Sequence, residues 1–117
     1  MPHWYLGSEP DDDGNRELIM DVNTNDAVGT LEGSLTFQDV KYSVTGHWAA
    51  SGSSPGRNFS CLAMCGPSGA TAPEMVSLCG IMTGPGYSPE SIEANLTRTD
   101  STDGLQYGYG ATLKPMS

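Results

Sequence analysis

Basic residues are scarce in this chain. Lysine and arginine number 5 against 14 aspartates and glutamates, a formal net charge of -9 over 117 residues. Nucleic-acid binding draws on clustered Lys and Arg, as does adhesion to an anionic membrane surface, so the composition argues against both partners. Histidine is nearly missing too: His3 and His47 are the only two. That leaves little material for proton transfer near neutral pH. A Ser-His-Asp set can be composed from any serine-rich chain, so none is assigned. No acidic residue falls in an apolar stripe, where the pKa of a glycosidase acid would rise. "GPSGATAP" and "GPGYSP" lack the helix and the Lys of a phosphate-binding loop and read as turns. No catalytic residue and no cofactor is expected, and a hydrolase of unknown type ranks third among the functional readings.

Long hydrophobic runs are also lacking. No stretch approaches the ~18 apolar residues of a spanning helix. "MPHWYLGSEPDDD" has no basic start followed by an apolar run, so no Sec signal peptide is read there. The expected localisation is cytoplasmic. Release by another route and a mature secreted form are the alternatives. The sequons Asn58-Phe59-Ser60 and Asn95-Leu96-Thr97 read as chance matches. Helical periodicity fails throughout, because Gly, Ser, Thr and Pro interrupt the chain at short intervals.

Period two is what the chain does have. In "VKYSVTGHW", Val40, Tyr42, Val44 and Trp48 fall on one side, and Lys41, Ser43, Thr45 and His47 on the other. Leu31, Leu35 and Phe37 form a similar stripe, as do Ile92, Ala94 and Leu96, and Leu105, Tyr107, Tyr109, Ala111 and Leu113. Segments near residues 3–8, 17–23, 58–65 and 75–82 bring the expected strands to about eight. Short turns such as Gln38-Asp39 favour sequential hairpins. The fold class expected is all-β: one domain over 1–117, an antiparallel eight-stranded meander barrel, with a two-sheet β-sandwich as the alternative. "EPDDDGN", within 9–16, reads as an acidic loop of that domain.

"CLAMCGPSGATAPEMVSLCGIM" concentrates three cysteines and three methionines in residues 61–82. Cys61 and Cys65 on one strand stand about 13 Å apart, too far for a disulfide or a shared zinc ion. Three buried thiols acting as small apolar residues are expected instead. A disulfide from Cys79 to one of the other two is geometrically allowed. Both faces of this hairpin carry apolar residues, which calls for cover on both sides. Leu62, Met64, Val76, Leu78 and Met82 are therefore the candidate interface of a homo-oligomer, most simply a two-fold dimer. Cover by loops or by the N-terminal segment is the competing explanation.

"DVNTNDAVGTLE" places Asp21, Asn23, Asn25 and Glu32 at positions one, three, five and twelve of a calcium loop. Asp26 occupies the sixth position, where the loop needs Gly, and the flanks read as strands, so no metal site is assigned. Aromatics point to binding more strongly. Trp48, Tyr42, Tyr107, Tyr109 and Trp4 combine an apolar face with a polar tip, which suits a sugar or a small amphipathic ligand at a barrel mouth. Packing in the core and at the barrel ends is the plainer role for the same residues.

"GTLEGSLTFQDVKYSVTGHW" and the Gly/Ser loop after it resemble the opening hairpins of avidin-like small barrels. The same stretch, within residues 19–50, is similar to short bacterial all-β proteins with a "VNT…G…G…V.G.W" pattern. The resemblance implies an eight-stranded antiparallel barrel with a ligand site at its open end. It does not extend to biotin, because the chain has only Trp4 and Trp48 and an inward stripe of Val, Tyr and Leu. The function expected is a non-enzymatic, self-associating binding module for a small molecule or glycan. The alternative is a structural or interaction protein that works through the 58–82 hairpin.

Overall fold

A computed structural model describes residues 3–25, 28–48, 56–65, 74–83, 89–99 and 104–116, with backbone alone for 56–65 and for 74 and 75. The chain is all-β. Its strands are β1 (His3–Gly7), β2 (Leu18–Asn25), β3 (Thr30–Phe37), β4 (Val40–Trp48), β5 (Gly56–Cys65), β6 (Glu74–Thr83), β7 (Ser91–Thr99) and β8 (Gln106–Pro115). Each pairs antiparallel with its neighbour in one sheet that curls into a barrel. The antiparallel, barrel-like expectation holds. The closure is thinner than a fully zipped barrel, because β1 meets β8 through only Leu6↔Pro115 and Gly7↔Lys114. β6 and β7, by contrast, pair from Met75↔Thr99 to Thr83↔Ser91. Among the described residues no helix is long and apolar enough to cross a membrane.

The strands follow from side-chain alternation. Tyr42, Val44 and Trp48 are buried while Lys41, Ser43, Thr45 and His47 are exposed. Leu31, Leu35 and Phe37 on β3, and Ile92, Ala94 and Leu96 on β7, join the same core. Trp4, Leu6, Leu18, Met20 and Val22 complete it from β1 and β2, and Val76, Leu78 and Met82 from β6. Burying a large apolar side chain contributes roughly 1.5–3 kcal/mol, so this lining dominates stability. It also packs together as one cluster inside the barrel.

The β3–β4 hairpin turns at Gln38 (φ 50) and Asp39 (φ 67). Two successive positive φ values are the signature of the tight turn that matches strand twist. Neither residue is glycine, so the turn needs support. Gln38 receives it from Glu17: its backbone N–H donates to the Glu17 carbonyl at 2.9 Å and its Nε2 to the Glu17 carboxylate at 2.7 Å. The acidic 9–16 segment is a loop held partly by Asp11, whose carboxylate accepts the N–H groups of Asp13 and Asn15 at 2.9 Å each.

Candidate functional site

Cross-strand register decides which side chains meet on the outer wall. One outward row runs Asn23↔Glu32↔Thr45 over β2 to β4, passes through the Leu62 position of β5 and continues as Ser77↔Thr97 over β6 and β7. A second row, two residues along each strand, runs Asn25↔Thr30↔His47 and continues as Cys79↔Asn95. Between them lie Thr24, Leu31 and Leu78, whose side chains turn into the core, and Gly46, which has none. They offer only backbone to the outside. The result is a trough with a backbone floor and two banks that are mainly polar at the described side chains, with a volume of about 790 Å³. It crosses the strands rather than running along them. From β2 to β7 it spans roughly 24 Å at ~4.8 Å per strand spacing.

The banks are rich in amide and hydroxyl groups. Asn side chains offer both donors and acceptors, and Ser and Thr hydroxyls rotate to serve as either. Among the described residues lining the trough, Glu32 is the one carboxylate and there is no Lys or Arg. Beside it, His3 is held between Asp21 and Asn23: its Nε2 lies 2.8 Å from the Asp21 carboxylate and its Nδ1 2.9 Å from the Asn23 amide oxygen. The His3 and Asp21 side chains are both about half exposed, so the cluster is a surface contact.

A second cavity, of about 450 Å³, opens at the opposite end of the barrel. Glu9, Asp11, Glu17 and Asp39 line it together with Asn15, Arg16, Gln38 and Tyr109. The Arg16 guanidinium donates to the Ser8 carbonyl at 2.6 Å. Burial, the nearby Glu17 charge and a hydrogen bond to that carboxylate raise the Tyr109 hydroxyl above its ordinary value of 10.0, and a bond with Ser8 opposes the shift.

The expected aromatic site separates into parts. Trp4, Tyr42 and Trp48 are core residues, 1%, 1% and 6% exposed. Their inward parity puts them among Leu and Val rather than at an open mouth. Tyr109 packs on Phe37 with ring centroids 5.2 Å apart, and Tyr107, 43% exposed, carries the Arg98 guanidinium 4.9 Å from its ring centre. The expected interface residues divide likewise. Val76, Leu78 and Met82 are buried inside the barrel, so they cannot meet a partner across the outer wall. The register pairs Leu62 with Ser77 and Met64 with Met75, whereas Leu78 pairs with Cys61. The five residues thus occupy register rows of both faces; the side chains of Leu62 and Met64 lie outside the described residues. On β6, Ile81 and Cys79 face outward, so Cys79 is an exposed free thiol rather than a buried one.

Strand geometry spreads out the residues of the calcium-loop spacing. Asp21, Asn23 and Asn25 sit on one extended strand, which carries the first and last about 13 Å apart, whereas a calcium loop wraps its ligands around one point. Among the described residues no cluster of three or more His, Cys, Asp or Glu has metal-holding geometry. Sequence reasoning missed Thr30, Thr45, Ser77, Asn95 and Thr97 as site residues. Their signal was there, since each is a polar residue of outward parity, but only the register aligns them. No family model matches the chain, and no curated protein matches it in sequence.

Proposed function

We propose that this protein is a non-enzymatic binding barrel that holds a neutral, polyhydroxylated ligand, a carbohydrate, in the outer trough across β2 to β7. The observation that carries this reading is the double row of Asn, Thr and Ser side chains flanking a backbone floor over about 790 Å³. Hydroxyl-rich ligands need alternating donors and acceptors, which this side-chain inventory supplies. A near-uncharged lining suits a neutral ligand better than an anion or a cation. The eight-stranded meander serves here as a rigid scaffold, with its packed interior as support rather than a ligand chamber. Lipid contact along the trough is disfavoured, since a membrane barrel turns an apolar band outward and the described rows of the trough present mainly Asn, Thr, Ser and Glu.

Calorimetric titration against a panel of neutral oligosaccharides tests the proposal. Binding to at least one, weakened on the order of tenfold or more by Asn23→Ala with Asn95→Ala, is the expected result. Interior tryptophans make poor reporters of this site, so calorimetry is the better readout. Binding that is indifferent to the double substitution, with the fold intact by circular dichroism, contradicts the proposal.

A further inference from the structure

The barrel is not sealed along its whole length. The chain leaves the sheet after Ser8, whose N–H donates a last ladder bond to the Leu18 carbonyl, and residues 9–16 form the acidic loop. β1 therefore pairs with β8 only at Lys114 and Pro115. From Gln106 to Thr112 the other edge of β8 has no strand beside it among the described residues. Its exposure fits that reading. Every residue from Gln106 to Thr112 is at least partly exposed, inward and outward positions alike, whereas other strands alternate with buried ones. Natural edge strands are protected by Lys, Pro or a bulge that blocks pairing. Here "QYGYGAT" carries neither charge nor proline, and Lys114 and Pro115 fall where β1 already covers the edge.

Beside this open edge lies the second cavity. Tyr109 of β8 forms part of its wall, and Glu9, Asp11, Glu17 and Asp39 supply four carboxylates. Arg16 is the one cation among the described lining residues, and its guanidinium is already bonded to the Ser8 carbonyl. The charge balance of the cavity is thus strongly negative, as is the chain at -9. An unpaired edge supplies main-chain hydrogen bonds to any extended chain, and an adjacent pocket selects its side chains.

We propose that β8 is a docking edge for an extended basic peptide, which adds a strand along Gln106–Thr112 and places a Lys or Arg side chain in the carboxylate cavity. Charge complementarity selects this occupant over a second copy of the chain. A copy would bring its own Glu9, Asp11 and Glu17 against the same cavity, and like charges so placed repel. The site is separate from the outer trough and stands without it.

Fluorescence anisotropy with a labelled peptide, Thr-Lys-Val-Lys-Val-Thr-Val, tests the assignment. Its controls are the same peptide with Glu for Lys and the same peptide with alternate backbone nitrogens methylated. The lysine peptide should bind on the order of tenfold or more tighter than either control. Glu17→Gln with Asp39→Asn should weaken the lysine peptide by a similar factor. Asn tolerates the left-handed backbone at position 39, and the methylated-peptide arm uses the unaltered protein, so a folding defect in the variant leaves the test intact. Equal affinity for all three peptides, or no binding of the lysine peptide at millimolar concentration, overturns the proposal. So does a two-chain mass in solution with the 106–112 amides protected from exchange, which assigns the edge to a second copy.

Discussion

Trp4 and Trp48 meet across the barrel interior, their ring centroids 5.5 Å apart and their planes tilted by 58°. They come from β1 and β4, which are not neighbours in the sheet. The contact therefore pins the N-terminal strand to the far wall, where its own ladder to β8 is only two pairs long. Truncating Trp48 leaves a large cavity under β1. Trp48→Ala should cost roughly 3–5 kcal/mol in denaturant unfolding. It should also abolish the coupled tryptophan signal in near-ultraviolet circular dichroism. A loss under about 1 kcal/mol would mean the two rings do not pack in solution.

Gly33 is a second fixed point. Its φ is +155, and an added Cβ would collide with the Asp21 carbonyl oxygen and lie 2.7 Å from the Val22 Cα. Both atoms are backbone of β2 and cannot swing aside. Gly33→Ala should destabilise the fold by on the order of 1–3 kcal/mol, measured by thermal or urea unfolding. The neighbouring Ser34→Ala, half-buried at the next position, serves as the control and should change stability by less than about 0.5 kcal/mol.

Alkaline pH should find Tyr109. Burial first, and then the Glu17 carboxylate, raise its pKa above 10.0. A raised pKa means that the folded state holds the phenolic proton more tightly than the unfolded chain does. The corresponding stability is present in full below pH 10.0 and is lost as pH rises through the folded value. Ultraviolet absorbance titration should show a late-ionising component that is absent in Tyr109→Phe, and Glu17→Gln should bring that component back toward the ordinary value. An unshifted titration in the parent protein would contradict the placement of Glu17 beside the ring.

Cys79 gives chemical access to the outer trough, because its exposed thiol lies on one bank. In a Cys61→Ser, Cys65→Ser background, attaching a bulky maleimide at Cys79 should abolish oligosaccharide binding. Cys79→Ser should retain it, since a hydroxyl matches the neighbouring side chains. Peptide mapping by mass spectrometry verifies the site of attachment. Undiminished binding after complete labelling would place the ligand elsewhere.

Much of the fold was readable from period-two stripes because burial on one face leaves that mark on each strand separately. Tyr42, Val44 and Trp48 are buried as their spacing requires, and so are Ile92, Ala94 and Leu96. β8 departs from its stripe: only Leu113 is buried, because beyond β7 on one side the short β1 leaves the other edge of Gln106–Thr112 with no strand beside it among the described residues. Spacing within one strand cannot report the length of another. The site was less readable for a similar reason. Asn23, Thr45 and Asn95 are far apart in sequence, and only inter-strand register aligns them in two rows. The aromatics misled because Trp and Tyr suit both a ligand site and a core, and inward parity assigned Trp4, Tyr42 and Trp48 to the core.

The most direct test of a binding surface on the outer wall is an amide chemical-shift map, recorded while a binding oligosaccharide from the panel is titrated into labelled protein. The expected shifts fall on Asn23, Asn25, Glu32, Thr45, Ser77 and Asn95, with the Trp4 and Trp48 indole signals unmoved. Shifts centred on those indoles and Tyr42, with the outer rows silent, would put the ligand inside the barrel and contradict an outer-wall site.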